Sequence, residues 1–75
     1  MTFGENRVRT QFNVSNDTTV QHIKERAAEF MNYVNDNVYS DGADEEKTAE
    51  IVRLKEKALD AIESASMWAV KAATV

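Results

Sequence analysis

From Ile51 to Ala72, apolar residues recur at alternating spacings of three and four: Ile51, Leu54, Ala58, Ala61, Ala65, Trp68 and Ala72. Only an α-helix gathers such positions on one face, and the chain has no proline to interrupt it. Asp44, Glu45 and Glu46 load the first turn with negative charge, which suits the positive end of the helix dipole. A helix is expected over residues 44–74, roughly 45 Å long at 1.5 Å per residue. Its polar side carries Glu50, Arg53, Glu56, Lys57 and Asp60, opposite charges at helical spacing.

A shorter stripe, Val20, Ile23, Ala27, Phe30 and Val34, predicts a first helix over residues 15–39. Ser15, Asn16 and Asp17 are all suitable N-caps for it. The run from Tyr39 to Gly42 reads as a turn. Two helices joined by so short a connection pack antiparallel. Residues 1–14 differ: Val8, Thr10, Phe12 and Val14 alternate with polar residues at a period of two. With no partner strand in the chain, this segment is expected to be an extended arm lying on a neighbouring surface, such as another protomer. The expected fold is all-α: a single domain over 1–75, built as a two-helix antiparallel hairpin with an extended N-terminal arm.

Such a hairpin carries more apolar surface than it can cover. A second stripe runs along the long helix through Val52, Leu59, Ile62, Ser66, Ala69 and Ala73, and 12 of the 18 residues from Ala58 to Val75 are apolar. One partner helix covers one stripe. The other is expected to form an interface, where the many alanines let helices approach closely. The composition points the same way. Ile, Leu, Val and Phe make up only 16 of the 75 residues, close to the lower limit for a folding chain. Without cysteines for disulfides, assembly into a homo-oligomer is the remaining source of stability.

Charge excludes some functions. Nine Lys and Arg stand against 13 Asp and Glu, a net charge of −4, and both halves of the chain are acidic. A protein that tracks a nucleic-acid polymer needs a cation for each phosphate it meets, so no such partner is expected. Two or three well-placed cations still suffice for a small phosphorylated ligand. The absence of Cys and the single His22 leave no thiolate or zinc site, and no metal or cofactor is implied. There is no apolar run long enough to span a membrane, so a cytosolic chain is expected. Ser15, His22 and Asp17 could be drawn as a catalytic triad, but capping explains Ser15 and Asp17 better. No phosphate-cradling glycine loop occurs either. The chain reads as a binding protein and not as an enzyme.

Three features could hold a small anion bearing an aromatic group. The first is the start of helix one, Asn13 through Ser15 to Asp17, where unpaired backbone N–H groups meet the positive dipole end; a plainly capped helix fits the same residues equally well. The second is Lys71, a lone cation in an apolar run, which dipole compensation also explains. The third is Arg7, Arg9 and Phe12 on the arm, beside Lys24, because guanidinium groups grip phosphate and aromatic rings stack on bases. Phe12 fits a role in stapling the arm to the core as well. Trp68 lies on the first stripe, which suits a core or interface residue better than a ligand platform. Lys24 and Lys71 have no counter-charge at helical spacing on their own helices, whereas Arg53, Lys55 and Lys57 lie among carboxylates.

Residues 8–15 (VRTQFNVS) leading into Val20, Ile23 and Lys24, together with residues 65–74 (ASMWAVKAAT), resemble the small phage proteins of the anti-CBASS and anti-Thoeris nucleotide-sponge family. The resemblance spans nearly the whole chain and is least distinctive over 36–48. It implies a symmetric homohexamer in the infected bacterial host that binds cyclic nucleotide immune signals without cleaving them. In that family an N-terminal aromatic and a lysine on the first helix help form a pocket between protomers. Phe12 would stand where the family has Tyr, and Lys24 follows Ile23 in the family pattern. A basic residue in the C-terminal stretch contacts a second ligand class, and Lys71 falls there with Lys in place of Arg, which weakens a bidentate grip. The candidate ligand-binding residues are therefore Arg9, Phe12, Asn13, Ser15, Lys24, Trp68 and Lys71, of which the resemblance itself carries Phe12, Lys24 and Lys71. It leaves open a cyclic dinucleotide, a cyclic trinucleotide or a cyclic ADP-ribose isomer. The rival reading of the same hairpin is a small interaction module, antitoxin-like or an enzyme inhibitor, that docks on another protein.

Overall fold

The structure, a computed structural model, describes residues 2–9, 17–42 and 44–75. Three helices follow one another: α1 over Phe3–Val8, α2 over Thr18–Asn37 and α3 over Glu45–Ala73. No strand occurs among the described residues.

The first helix corrects the expectation of an extended arm. Residues 3–8 are helical because Thr2 and Glu5 close a capping box: Thr2 Oγ1 accepts the Glu5 N–H at 3.1 Å, and Glu5 Oε1 accepts the Thr2 N–H at 2.8 Å. The Thr2 backbone N–H, with the Thr2 hydroxyl as a smaller cause, holds the Glu5 carboxyl below the ordinary glutamate range. The helix stops at Arg9, which adopts the left-handed conformation with φ 55° and sends its N–H back to the Glu5 carbonyl. The period of two belongs to residues 8–14 and says nothing about residues 2–7. The capping pair, Thr2 followed three residues later by Glu5, was the available signal. Residues 10–14 of the expected arm lie outside the described residues.

Nor does this segment need another protomer to rest on. α1 lies on α2 of its own chain, and Asn32 fastens its start by accepting the Gly4 N–H at 2.8 Å and donating to Thr2 Oγ1 at 3.0 Å. Val8 then joins Ala28, Met31, Val34 and Leu59 in the core. Arg7 crosses to α3, donating from Nε to Glu63 at 2.7 Å and from Nη2 to Asp60 at 3.1 Å, with the Phe3 ring 5.6 Å beneath it.

Asp17 caps α2 by accepting the N–H groups of Thr19 and Val20. The buried positions of α2 are Val20, Lys24, Ala28, Met31 and Val34, whereas Phe30 of the expected stripe is exposed. The shift has a physical cause: α1 covers the Lys24–Ala28–Met31 side, and a two-helix reading has nothing to place there. Gly42, at φ +88°, turns the chain towards α3. A hydroxyl bond of 2.8 Å between Ser40 and Thr48, and the Asp44 cap on Lys47, secure the connection.

On α3 the two stripes exchange roles. Leu59 and Ser66 are buried and Ile62 is half-buried, so the middle of the stripe read as surplus faces the hairpin, while Val52, Ala69 and Ala73 towards its ends are exposed. Leu54, Ala58, Ala61, Ala65, Trp68 and Ala72 of the other stripe are exposed. Lys55 also departs from the expected solvated face: it is half-buried and donates to the Asn35 carbonyl at 2.9 Å. Arg53 does pair along its own helix, with Glu50.

The molecule measures 47 × 22 × 13 Å, little more than one helix thick. It exposes 5494 Å², against about 4650 Å² for a compact monomer of this mass. The large apolar residues at least half exposed are Phe30, Tyr33, Tyr39, Val52, Leu54, Met67, Trp68 and Val75.

Candidate functional site

A groove of about 560 Å³ opens where α1 meets the two long helices. α1 and its cap supply Asn6, Arg7, Val8 and Arg9; α2 supplies Lys24; α3 supplies Glu63, Ser66, Met67 and Val70. Each position follows from a local device already described. The left-handed cap ends α1 at Arg9 and leaves that side chain exposed at the rim. The Arg7 clamp draws α1 towards α3 and so gives the groove its second wall.

Lys24 is the unusual member. It is 8% exposed, and its Nζ donates to the Arg9 carbonyl at 3.1 Å. Burial, with the Arg9 charge as a smaller cause, holds its ammonium below the ordinary lysine range. A buried cation is costly unless hydrogen bonds or an anion answer it. The sequence placed Lys24 among the candidates, but its burial was not visible there, because the partner carbonyl is 15 residues away. An anion reaching this groove meets a positive charge already stripped of much of its water, where electrostatic attraction is less screened than at the surface.

Arg7 is held differently. Its guanidinium bonds both Glu63 and Asp60, and these carboxylates raise its pKa above the ordinary arginine value. It builds the wall, and the cations that face the opening are those of Arg9 and Lys24. Ser66, buried on the groove floor, turns its hydroxyl to the Glu63 carbonyl at 2.9 Å. Glu63, Ser66 and Met67 were missed as lining residues because only the docking of α1 turns that stretch of α3 into a wall.

The structure therefore brings Arg9 and Lys24 together. Trp68 and Lys71 stand apart from this groove and with each other: Lys71 Nζ lies 5.4 Å from the centre of the Trp68 ring, and both side chains are exposed. Phe12, Asn13 and Ser15 lie outside the described residues. A second groove, about 440 Å³ and almost wholly apolar, runs between α2 and α3, with Phe30, Ala61 and Ala65 among its lining residues. Among the described residues, no group of three or more His, Cys, Asp or Glu is placed to hold a metal ion. No described helix is long and apolar enough to cross a membrane.

The architecture is a helical hairpin with a short helix laid along α2 and clamped to α3 through Arg7. The sequence matches the Acb2/Tad1 hairpin domain over residues 5–74. The chain belongs to that family, the anti-CBASS and anti-Thoeris sponges, which are binding domains and not a known enzyme class. No curated protein and no solved structure matches the chain.

Proposed function

We propose that this chain binds and sequesters cyclic nucleotide immune second messengers without cleaving them, and so blocks anti-phage signalling in the cytoplasm of an infected bacterial host. The ligand class comprises cyclic dinucleotides, cyclic trinucleotides and cyclic ADP-ribose isomers. The observation that carries the reading is the pairing of Arg9 and the buried Lys24 in one groove of an acidic chain that belongs to a sponge family. Arg9 and Lys24 take phosphate; Phe12, Asn13 and Ser15 complete that site, with Phe12 stacking on a base. Trp68 and Lys71 form a second contact region at the far end of α3, where a base can replace the ammonium on the indole face and leave Lys71 to a phosphate.

The working form is a closed homo-oligomer, a hexamer by analogy with the family. The exposed stripe of Ala58, Ala61, Ala65 and Trp68 and the apolar groove beside it supply the contact surface. That same surface favours the second reading, a module that docks on another protein.

Depletion and recovery separate the readings. The pure protein is incubated with cyclic dinucleotides, and free ligand is followed by chromatography before and after protease digestion. Sequestration predicts that the ligand disappears and then returns intact. Linear products would mark an enzyme, and undiminished free ligand across all the cyclic nucleotides would favour the docking module.

A further inference from the structure

The groove beside α1 is not uniformly cationic. Arg9 and Lys24 stand on one side, and the Glu63 carboxylate stands on the α3 side. A cavity made for phosphate alone gains nothing from a carboxylate, which repels the anion it faces. Holding Arg7 explains only one of its oxygens. Glu63 Oε1 takes the Arg7 Nε at 2.7 Å, while Oε2 takes no hydrogen bond among the described residues and the side chain remains 35% exposed. Arg7 in turn is engaged by two carboxylates, which leaves its fork poorly placed for a bidentate phosphate grip.

We propose that Glu63 is a specificity-determining residue that reads the base of the bound nucleotide by accepting hydrogen bonds from the donor edge of guanine. The proposal rests on the sponge reading and narrows its ligand class to guanine-bearing cyclic nucleotides. Guanine carries its N1–H and 2-amino group side by side, and both converge on a carboxylate. Adenine offers one amino group flanked by ring-nitrogen acceptors, which would face the carboxylate lone pairs. A site that hydrogen-bonds a ligand's donors discriminates strongly against an analogue lacking them, because its own polar group is then left unpaired. Arg9 and Lys24 across the groove take the phosphate of the same nucleotide.

The test is calorimetric titration of the whole chain with cyclic di-GMP and cyclic di-AMP. The parent is expected to bind cyclic di-GMP at least about tenfold more tightly. Glu63→Gln is expected to reduce that preference to about threefold or less, chiefly by weakening cyclic di-GMP. Asp60→Asn removes the other partner of Arg7, outside the groove, and should leave the preference as in the parent; a purely structural role for Glu63 would make the two variants alike. Cyclic di-IMP, which lacks the 2-amino group, should bind the parent less tightly than cyclic di-GMP, a readout that needs no variant. Equal binding of cyclic di-GMP and cyclic di-AMP by the parent, or an unchanged preference in Glu63→Gln, overturns the inference and leaves the sponge reading standing. A parent that binds none of the three overturns the inference, and the sponge reading falls with it only when cyclic trinucleotides and cyclic ADP-ribose isomers go unbound as well.

Discussion

Gly4 and Ala28 meet so closely that a side chain at position 4 has no room: a Cβ there would lie 2.2 Å from the Ala28 carbonyl oxygen. This contact sets how deeply α1 sits on α2. With Asn32 bonding the Gly4 N–H, it carries the helix to the point where Arg9 caps it beside Lys24. The geometry of the groove therefore begins at a glycine that never touches it.

Gly4→Ala is the direct consequence. Inside a helix, alanine is favoured over glycine by about 1 kcal/mol, so propensity alone predicts a gain. The obstacle is backbone and cannot swing aside, and overpacking of that kind typically costs about 1–3 kcal/mol. The clash wins. Urea denaturation should show a lower midpoint for Gly4→Ala than for the parent; a midpoint equal or higher would mean that α1 is not docked as described.

Lys55 is expected to matter for stability and not for binding. Its ammonium answers the Asn35 carbonyl, one of the acceptors left without an intrahelical partner at the end of α2. Cations at that end also oppose the helix dipole. Lys55→Ala should lower stability by about 1 kcal/mol while ligand affinity stays within about twofold of the parent. Thermal melting beside titration checks both, and a ligand affinity that falls tenfold would contradict this placement.

How much of this was legible beforehand depends on which interactions are local. The long helix was readable because its 3-4 alternation needs no other residue for its meaning, and Asp17 stood among three cap candidates for the same reason, whereas Asp44, read as first-turn charge, is itself the cap. The face α3 turns inward was not readable. Its two stripes are both alanine-rich, and the choice depends on where Leu59 and Ile62 find Met31 and Ala27, a tertiary matter. The shift on α2 towards Lys24, Ala28 and Met31 depends on α1, which a period-two pattern in the neighbouring residues concealed. Of the candidate site, Arg9 and Lys24 were legible as cations that could meet a phosphate, whereas the burial of Lys24 and the Glu63 wall of the groove arise only once α1 is docked.

Assembly should respond to the exposed stripe independently of the fold. Ala65 is exposed and borders the apolar groove, so a glutamate there is solvated in the single chain but buried without a partner in an interface. Ala65→Glu is expected to retain its helical circular dichroism and to yield the 8.5 kDa monomer in light scattering, where the parent yields a larger species. A parent that is itself monomeric at micromolar concentration would remove the basis for the proposed oligomer.

Lys24 allows stability and binding to be separated in one residue. Its folded pKa is held below that of an ordinary lysine, near 10.5, chiefly by burial. The folded chain thus binds this proton more weakly than the unfolded chain does. The resulting cost to stability is present in full below the folded pKa and is relieved as pH rises through it towards 10.5. Lys24→Met keeps the buried stem and removes the charge, so it should fold about as stably as the parent or more so at neutral pH. Binding runs the opposite way, because phosphate needs the protonated form. Loss of one charged hydrogen bond, about 1.5–3 kcal/mol, corresponds to roughly ten- to 150-fold weaker binding. The parent should likewise lose affinity as pH rises towards 10.5, beginning lower than an ordinary lysine would, while Lys24→Met shows little of that dependence. Titration of both proteins with one cyclic dinucleotide across this range decides the matter, and equal affinities at pH 7 would remove Lys24 from the site.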